Sequence, residues 1–543
     1  MTCKSNALYR ARTTTATFTL VAVTYLVMSG TTAEPAAAQS GGEARAERWL
    51  PRLWPGISYV GAYAEKKTAE DAAEPVVGKN EKKDKKSKKA RKNGKSAQDP
   101  FRPDPQYETK YDATANIGVY GAKTEVDPPR PLVELGRQQY TPGMYDESGT
   151  LLGELNPLRQ SLSVYGDWRT AVAYNRNNGR DIPQIATRVN IDVDYKITAT
   201  ERIHALFTPL QRNNQFTRFE FASGDGNGRF NGEFDLAPQA LFFEGDFGSL
   251  YSGFSGKRAG FDLPFTFGLF PLFLQNGIWA NDAILGGAVS IPAKNSAALG
   301  LANFDTTFFA AFDNVDNAGI LGADKHNANI YGVTTFIDAF SGYIEAGYGL
   351  IQGIKDRAGQ LTNFVTAAYS RRYANTVSNT TRVFANFGNG DNDDGFAVIS
   401  ENSLITSLPS TLIPYANFFV GFGKPQPLVD GNGAGILKNV GINFETDALT
   451  GYPKLDDTAS DAWGGAIGLQ YLFNLDQQLV FEAAMVQPLN DSGTGVQNAQ
   501  YGFGVRYQIA LDRSWIFRAD ATYQIIDGQE DNFGIRTELR RKF

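Results

Sequence analysis

At 543 residues, with a formal net charge of −6 and 42% apolar residues, the chain can hold several small domains or one large barrel. A mean hydropathy of −0.31, with no long apolar span in its body, excludes a helical membrane protein but not one built from half-apolar strands. The single cysteine, Cys3, excludes a disulfide framework and a thiolate metal site.

The N-terminus reads as an export signal. Lys4, Arg10 and Arg12 precede a threonine-diluted apolar stretch from Phe18 to Met28, and Ala36-Ala37-Ala38 gives an A-x-A cleavage pattern. Residues 1–38 are therefore expected to be a signal peptide, with Cys3 inside it. Residues 39–110 form a distinct lysine-rich extension. Between Lys79 and Lys95 it carries ten Lys or Arg against Glu81 and Asp84. So dense a like-charge run cannot bury itself and is expected to be disordered. It reads either as a solvated linker or as a tether to an anionic envelope polymer. Lysine without interleaved aromatics, behind an export signal, speaks against nucleic acid.

Residues 111–543 are expected to form an all-β domain. Candidate strands start at 115–123 and 132–138. Residues 161–175 read as a hairpin or one long strand. In residues 187–199 Val189, Ile191, Val193, Tyr195 and Ile197 alternate with Asn190, Asp192, Asp194 and Lys196, the period of a strand. Residues 202–207 follow a tight turn. Later candidates are 240–245, 250–258, 277–291, 297–312, 329–340, 342–352, 361–373, 377–387, 415–422 and 435–444. Those around 132–138 and 240–245 fall short of the ~9–11 residues a spanning strand needs. Intervening Asn/Asp/Gly-rich stretches, including 211–231, 313–327, 388–395, 430–433 and 446–461, read as outward loops. Asp391, Asp393 and Asp394 miss the EF-hand spacing and read as a solvated acidic loop. Residues 263–274 are apolar nearly throughout and contain Pro264 and Pro271, which argues against an interior strand. They read as a lumenal constriction built from Phe265, Phe267, Phe270 and Phe273, or as a loop packed on a wall.

The last eighty residues alternate most cleanly. Tyr501, Phe503, Val505 and Tyr507 share one parity; Gly502, Gly504 and Arg506 share the other. Trp515, Phe517, Ala519, Ala521 and Tyr523 stand opposite Arg518, Asp520, Thr522 and Gln524. Phe533, Ile535, Thr537, Leu539 and Phe543 stand opposite Gly534, Arg536, Glu538, Arg540 and Lys542. An apolar face backed by a charged one, with short turns at 474–477 and 511–514 and longer loops at 488–498 and 525–532, is the pattern of a transmembrane antiparallel barrel. About 16–18 strands are expected.

A final strand that ends on Phe543 after alternating apolar residues resembles the C-terminal signature of Gram-negative outer-membrane β-barrels of the porin-like kind; Arg541 departs from it. The resemblance implies location in the outer membrane of a Gram-negative bacterium, contact with lipid and lipopolysaccharide, and recognition of Phe543 by the barrel-assembly machinery. Leu135-Gly136-Arg137-Gln138 is locally similar to alginate-export-like barrels, which implies a lumenal role for Arg137.

The expected function is porin-like passive diffusion of small hydrophilic solutes, with a homotrimer as the expected assembly. Candidate pore-lining residues are Arg506, Arg518, Asp520, Arg536, Glu538, Arg540, Glu482 and Arg137. Their charges either attract anions or brace the wall as a neutral ladder. Asp192 and Asp194 are expected on an acidic opposite wall. Two alternatives stay open: a channel specific for anionic solutes or acidic saccharides, and a non-conducting anchor that binds polymer through its basic tract. His204 and His326 lack a partner at ligand spacing, and no nucleophile, Walker or zinc motif is present. No cofactor, metal or enzymatic activity is expected.

Overall fold

The computed structural model describes residues 131–136, 152–221, 228–317, 325–374, 376–390, 394–404, 411–431, 435–445, 449–473, 477–490 and 495–543. The expected signal peptide, the Lys79 to Lys95 tract, the 115–123 strand, Arg137, Asp391 and Asp393 lie outside these residues.

Eighteen antiparallel strands close into a barrel. The first five are β1 (Ser161–Asn177), β2 (Arg180–Lys196), β3 (Arg202–Phe207), β4 (Pro238–Asp246) and β5 (Pro264–Leu274). Next come β6 (Ala280–Ser296), β7 (Leu301–Asp313), β8 (Ala328–Ala339), β9 (Gly342–Gly353) and β10 (Leu361–Tyr373). Then follow β11 (Val377–Gly388), β12 (Gly395–Leu404), β13 (Thr411–Gly423) and β14 (Ala462–Leu472). The last are β15 (Gln477–Pro488), β16 (Gln500–Ala510), β17 (Trp515–Ile526) and β18 (Asn532–Lys542).

Each strand pairs with its sequence neighbour, and β18 pairs with β1 from Asp167↔Lys542 to Arg176↔Phe533. This closure leaves the barrel wall without an edge strand. Gly166 and Phe543 extend it by exchanging two backbone hydrogen bonds, at 2.8 and 3.0 Å. A Cβ on Gly166 would lie 2.0 Å from the Asn190 carbonyl oxygen, so this corner needs a glycine.

Connections are unequal at the two rims. Strands at one rim follow one another across the short connections 197–201, 297–300, 340–341 and 511–514; at the other rim the intervening stretches include 208–237, 314–327, 424–461 and 489–499. The exceptions are informative. On the long-loop rim β1 and β2 meet through Asn178 and Gly179, both at positive φ, the backbone a two-residue hairpin turn requires. On the short rim β4 and β5 are separated by a helix, α1 (Phe247–Ser255), capped by the Asp246 side chain on Ser249 N.

Several sequence expectations change here. Residues 250–258 were expected to be a strand, yet Leu250–Ser255 belong to α1, where Tyr251 and Phe254 are three residues apart. Residues 263–274 are neither plug nor loop: β5 pairs with both β4 and β6. Their apolar continuity arises because both faces are covered. Outside, Phe247 of α1 stacks on Phe265 at 3.7 Å between ring centroids; inside, Phe270, Leu272 and Leu274 join an apolar core. The short segment at 240–245 is a genuine wall strand, paired on both sides. Residues 161–175 form one long strand with no hairpin.

The largest correction concerns 424–461. Residues 435–444 were expected to be a strand, and 430–433 and 446–461 outward loops. The described parts of this connection instead fold inward. Val429–Asp430 pairs in parallel with Ala280–Asn281 at the start of β6. Leu428, Ile436, Leu437, Val440, Phe444 and Leu455 are fully buried in one cluster with Trp279, just before β6, and with Phe364, Phe384, Ile399 and Phe419 of the wall. Burying one such side chain contributes about 1.5–3 kcal/mol, so the connection is a packed element of the interior.

Candidate functional site in the barrel interior

The two wall faces separate by parity. Phe503 and Ile535 are 54% and 58% exposed, whereas Arg506 and Arg536 on the alternate parity are 3% and 2% exposed. Exposed aromatics and aliphatics continue around the outer wall through Phe308, Phe312, Phe418, Phe422, Trp463, Ile467 and Phe481. A soluble protein does not expose so extensive an apolar surface; a barrel solvated by lipid does. The chain is a transmembrane β-barrel of the outer-membrane type.

Inside, the charged parity of β16–β18 converges on one carboxylate. Arg506 Nε donates to Asp520 Oδ1 at 2.6 Å, Arg518 Nε to Oδ2 at 2.7 Å, and Arg536 Nη2 to Oδ2 at 2.7 Å. Arg506↔Asp520 and Asp520↔Arg536 are directly opposed across the ladders, so register alone delivers two of these contacts. Glu538 approaches Arg540 at 3.6 Å, and Arg540 approaches Asp167 of β1 at 3.7 Å. Asp167 also holds Arg169 at 2.5 Å and accepts from Asn190 Nδ2 at 2.7 Å. The network thus crosses the closure seam from β16 to β2.

Glu482 faces inward as well, but it serves the inward-folded connection. Its carboxylate accepts from Tyr415 OH at 2.5 Å, and from Ile442 N, Asn443 N and Asn443 Nδ2 at 2.8 Å each. Gly441 admits this approach, since a Cβ there would sit 2.4 Å from Glu482 Oε2. Inward glycines on the wall leave room in the same way: a Cβ on Gly504 would come within 2.9 Å of Ile442, and one on Gly534 within 2.7 Å of Pro453.

The connection meets the arginine wall through polar groups. Glu445 Oε2 lies 2.6 Å from Arg506 Nη1, and Glu445 Oε1 lies 3.3 Å from Arg518 Nη2. Arg536 stacks over Tyr452 at 5.4 Å. Burial, then the Asp520 charge, pushes the Tyr452 phenol well above its usual range, so a neutral ring meets the cation. Asn175 and Gln184 both donate to the Thr450 carbonyl. The same segment is therefore greasy towards β6–β13 and polar towards β15–β18, β1 and β2.

Asp192 and Asp194 do not form an opposite wall. They lie on β2, next to the seam, where His204 approaches Asp192 at 3.5 Å and Arg202 approaches Asp194 at 3.6 Å. Linear order hid this, because closure makes the first strands neighbours of the last. The far wall instead carries Arg382, fully buried and paired with Glu401. Of the four phenylalanines expected at a constriction, Phe270 is on the inward parity of β5; Phe265 lies under α1, Phe267 shares its parity, and Phe273 is 43% exposed on the outer face. His326 pairs with Asp313 at 2.6 Å.

Glu445, Tyr452, Asp167 and Arg169 were not singled out from sequence. Asp167 and Arg169 share the inward parity of β1 and were open to the same alternation rule. Glu445 and Tyr452 lie in an irregular segment where no period applies.

No family model matches the chain, and no curated protein matches it. Among solved structures, it is similar to the outer membrane protein OpdK of Pseudomonas aeruginosa, at 11% identity, over 70% of this chain and 98% of that one, with a TM-score of 0.46. Pseudomonas aeruginosa OccK2 (OpdF), solved in complex with glucuronate, matches at 10% identity over 70% and 98%, with a TM-score of 0.47. Acinetobacter baumannii OccAB4 matches at 11% identity over 70% and 98%, with a TM-score of 0.42.

Proposed function

We propose that the protein is a passive outer-membrane channel for small hydrophilic solutes. The observation that carries this reading is the inversion of the wall: lipid-facing residues outside, and a polar and charged seam inside from β16 to β2. A barrel meant only to anchor has no need of so many buried guanidinium groups, each of which costs desolvation. The reading needs no cofactor and no catalytic cycle; selectivity follows from the radius and charge of the lumen. Lipid and lipopolysaccharide would cover the outer wall.

A second, narrower reading is favoured by one feature. Arg506, Arg518 and Arg536 gather around Asp520 and Glu445, three positive charges against two negative ones, a small excess of positive charge that favours anionic solutes. Liposome swelling tests both readings. Protein-dependent swelling in neutral sugars that falls with sugar size is expected for a general pore. Faster swelling in a sugar acid than in its neutral counterpart is expected for the anion-selective form. Absence of swelling with protein whose gel migration is heat-modifiable contradicts both.

A further inference from the structure

Two carboxylates hold the guanidinium groups of Arg506 and Arg518, and they differ in kind. Asp520 is fixed to β17, its side chain is 3% exposed, and it takes the Nε of both arginines. Glu445 takes a terminal nitrogen of each, one per carboxylate oxygen, at 2.6 and 3.3 Å. It belongs to no strand, and its side chain is 25% exposed against 4% and 6% for the arginines. Glu445 is therefore the more water-exposed member of the cluster and the one carried by the inward-folded connection rather than by a wall strand. Its carboxylate offers the two-oxygen geometry that any small-molecule carboxylate offers to a pair of guanidinium groups.

We propose that Arg506 and Arg518 form a carboxylate-binding site that Glu445 occupies in the resting protein, standing in for the solute that displaces it. The proposal rests on the anion-selective reading above. A solute carboxylate would replace Glu445 one for one, so the buried arginines would never lose their second anion. That exchange avoids the penalty of an uncompensated buried charge. Glu445 would also set a threshold: a neutral polyol has nothing with which to replace its charge-assisted hydrogen bonds.

The test is calorimetric titration of gluconate, with sorbitol as the neutral control, into refolded protein in detergent micelles at low ionic strength. The wild type is compared with Glu445→Gln, Glu445→Asp and Arg506→Gln/Arg518→Gln, each checked for heat-modifiable migration. Gluconate is expected to bind at least about tenfold more tightly to Glu445→Gln, where the internal competitor has lost its charge. Glu445→Asp keeps the charge but shortens the reach, and is expected to tighten binding too; a purely long-range charge effect would leave it at the wild-type value. Sorbitol is expected to bind none of them. Equal gluconate affinity in wild type and Glu445→Gln overturns the proposal, as does binding that survives in the arginine variant or no binding anywhere. If the arginine pair does not fold, the comparison of the two Glu445 variants with wild type still decides. Micelle binding needs no conduction. Silent bilayers with the expected calorimetry would remove the channel reading and leave the site; conducting bilayers with unchanged affinities would remove the site and leave the channel.

Discussion

Asn443 grips Glu482 twice, through its backbone N and its Nδ2, both at 2.8 Å. This pair pins the inward-folded connection to β15. Glu482→Ala is expected to strand the Ile442 and Asn443 donors and the Tyr415 hydroxyl, at about 1–3 kcal/mol for each unmatched buried group. The barrel ladder does not depend on them. The expected outcome is faster proteolytic cleavage within 424–461, with heat-modifiable migration unchanged. Equal cleavage rates in wild type and variant would show that the pin does not hold the segment.

Asp520 is the counter-ion of three buried arginines. Asp520→Asn keeps the shape and removes the charge. Breaking such a buried arrangement from one side is expected to cost about 3–5 kcal/mol. Urea unfolding of liposome-inserted protein, followed by tryptophan fluorescence, measures it. A loss below about 1 kcal/mol, the range of exposed pairs, would mean that water screens the cluster.

Two inward glycines are expected to respond differently. At Gly534 a new side chain meets Pro453 of the inward-folded segment, at 2.7 Å from its Cβ. Gly534→Leu is expected to push that segment aside and raise conductance in an intact barrel. At Gly166 the obstacle is backbone, the Asn190 carbonyl at 2.0 Å. Gly166→Val is expected to prevent closure and abolish heat-modifiable migration. The same phenotype from both would contradict the assignment of one to the lumen and the other to the seam.

Phe543 completes the seam through its two backbone bonds to Gly166. Deleting it is expected to slow insertion into liposomes, with the final fold retained, because Asp167 to Arg176 still pair with β18. Wild-type insertion kinetics would show that these two bonds do not set the rate of insertion.

The sequence revealed the wall where water and lipid sat on opposite sides of a strand. From β16 to β18 polar residues face in and apolar residues face out, and a period of two is plain. Legibility failed where that contrast failed. β5 touches lipid and α1 on one face and an apolar core on the other, so it shows no alternation, as happens to any strand buried on both faces. Residues 435–444 carry Ile436, Val440, Ile442 and Phe444 because an inward loop needs apolar residues as much as a strand does. The arginines were legible one by one, but the carboxylate that bridges two of them was not. Glu445 meets Arg506 and Arg518 only after a long connection turns back into the lumen, and no local pattern encodes that return.

The most direct test of the account is the reversal potential of single channels in a planar bilayer under a salt gradient, for wild type and for Arg506→Gln/Arg518→Gln/Arg536→Gln. The account predicts discrete conductance steps with anion preference in the wild type, and a shift towards cations in the variant. Silence from folded wild-type protein, or a reversal potential unmoved by loss of the three arginines, would contradict it.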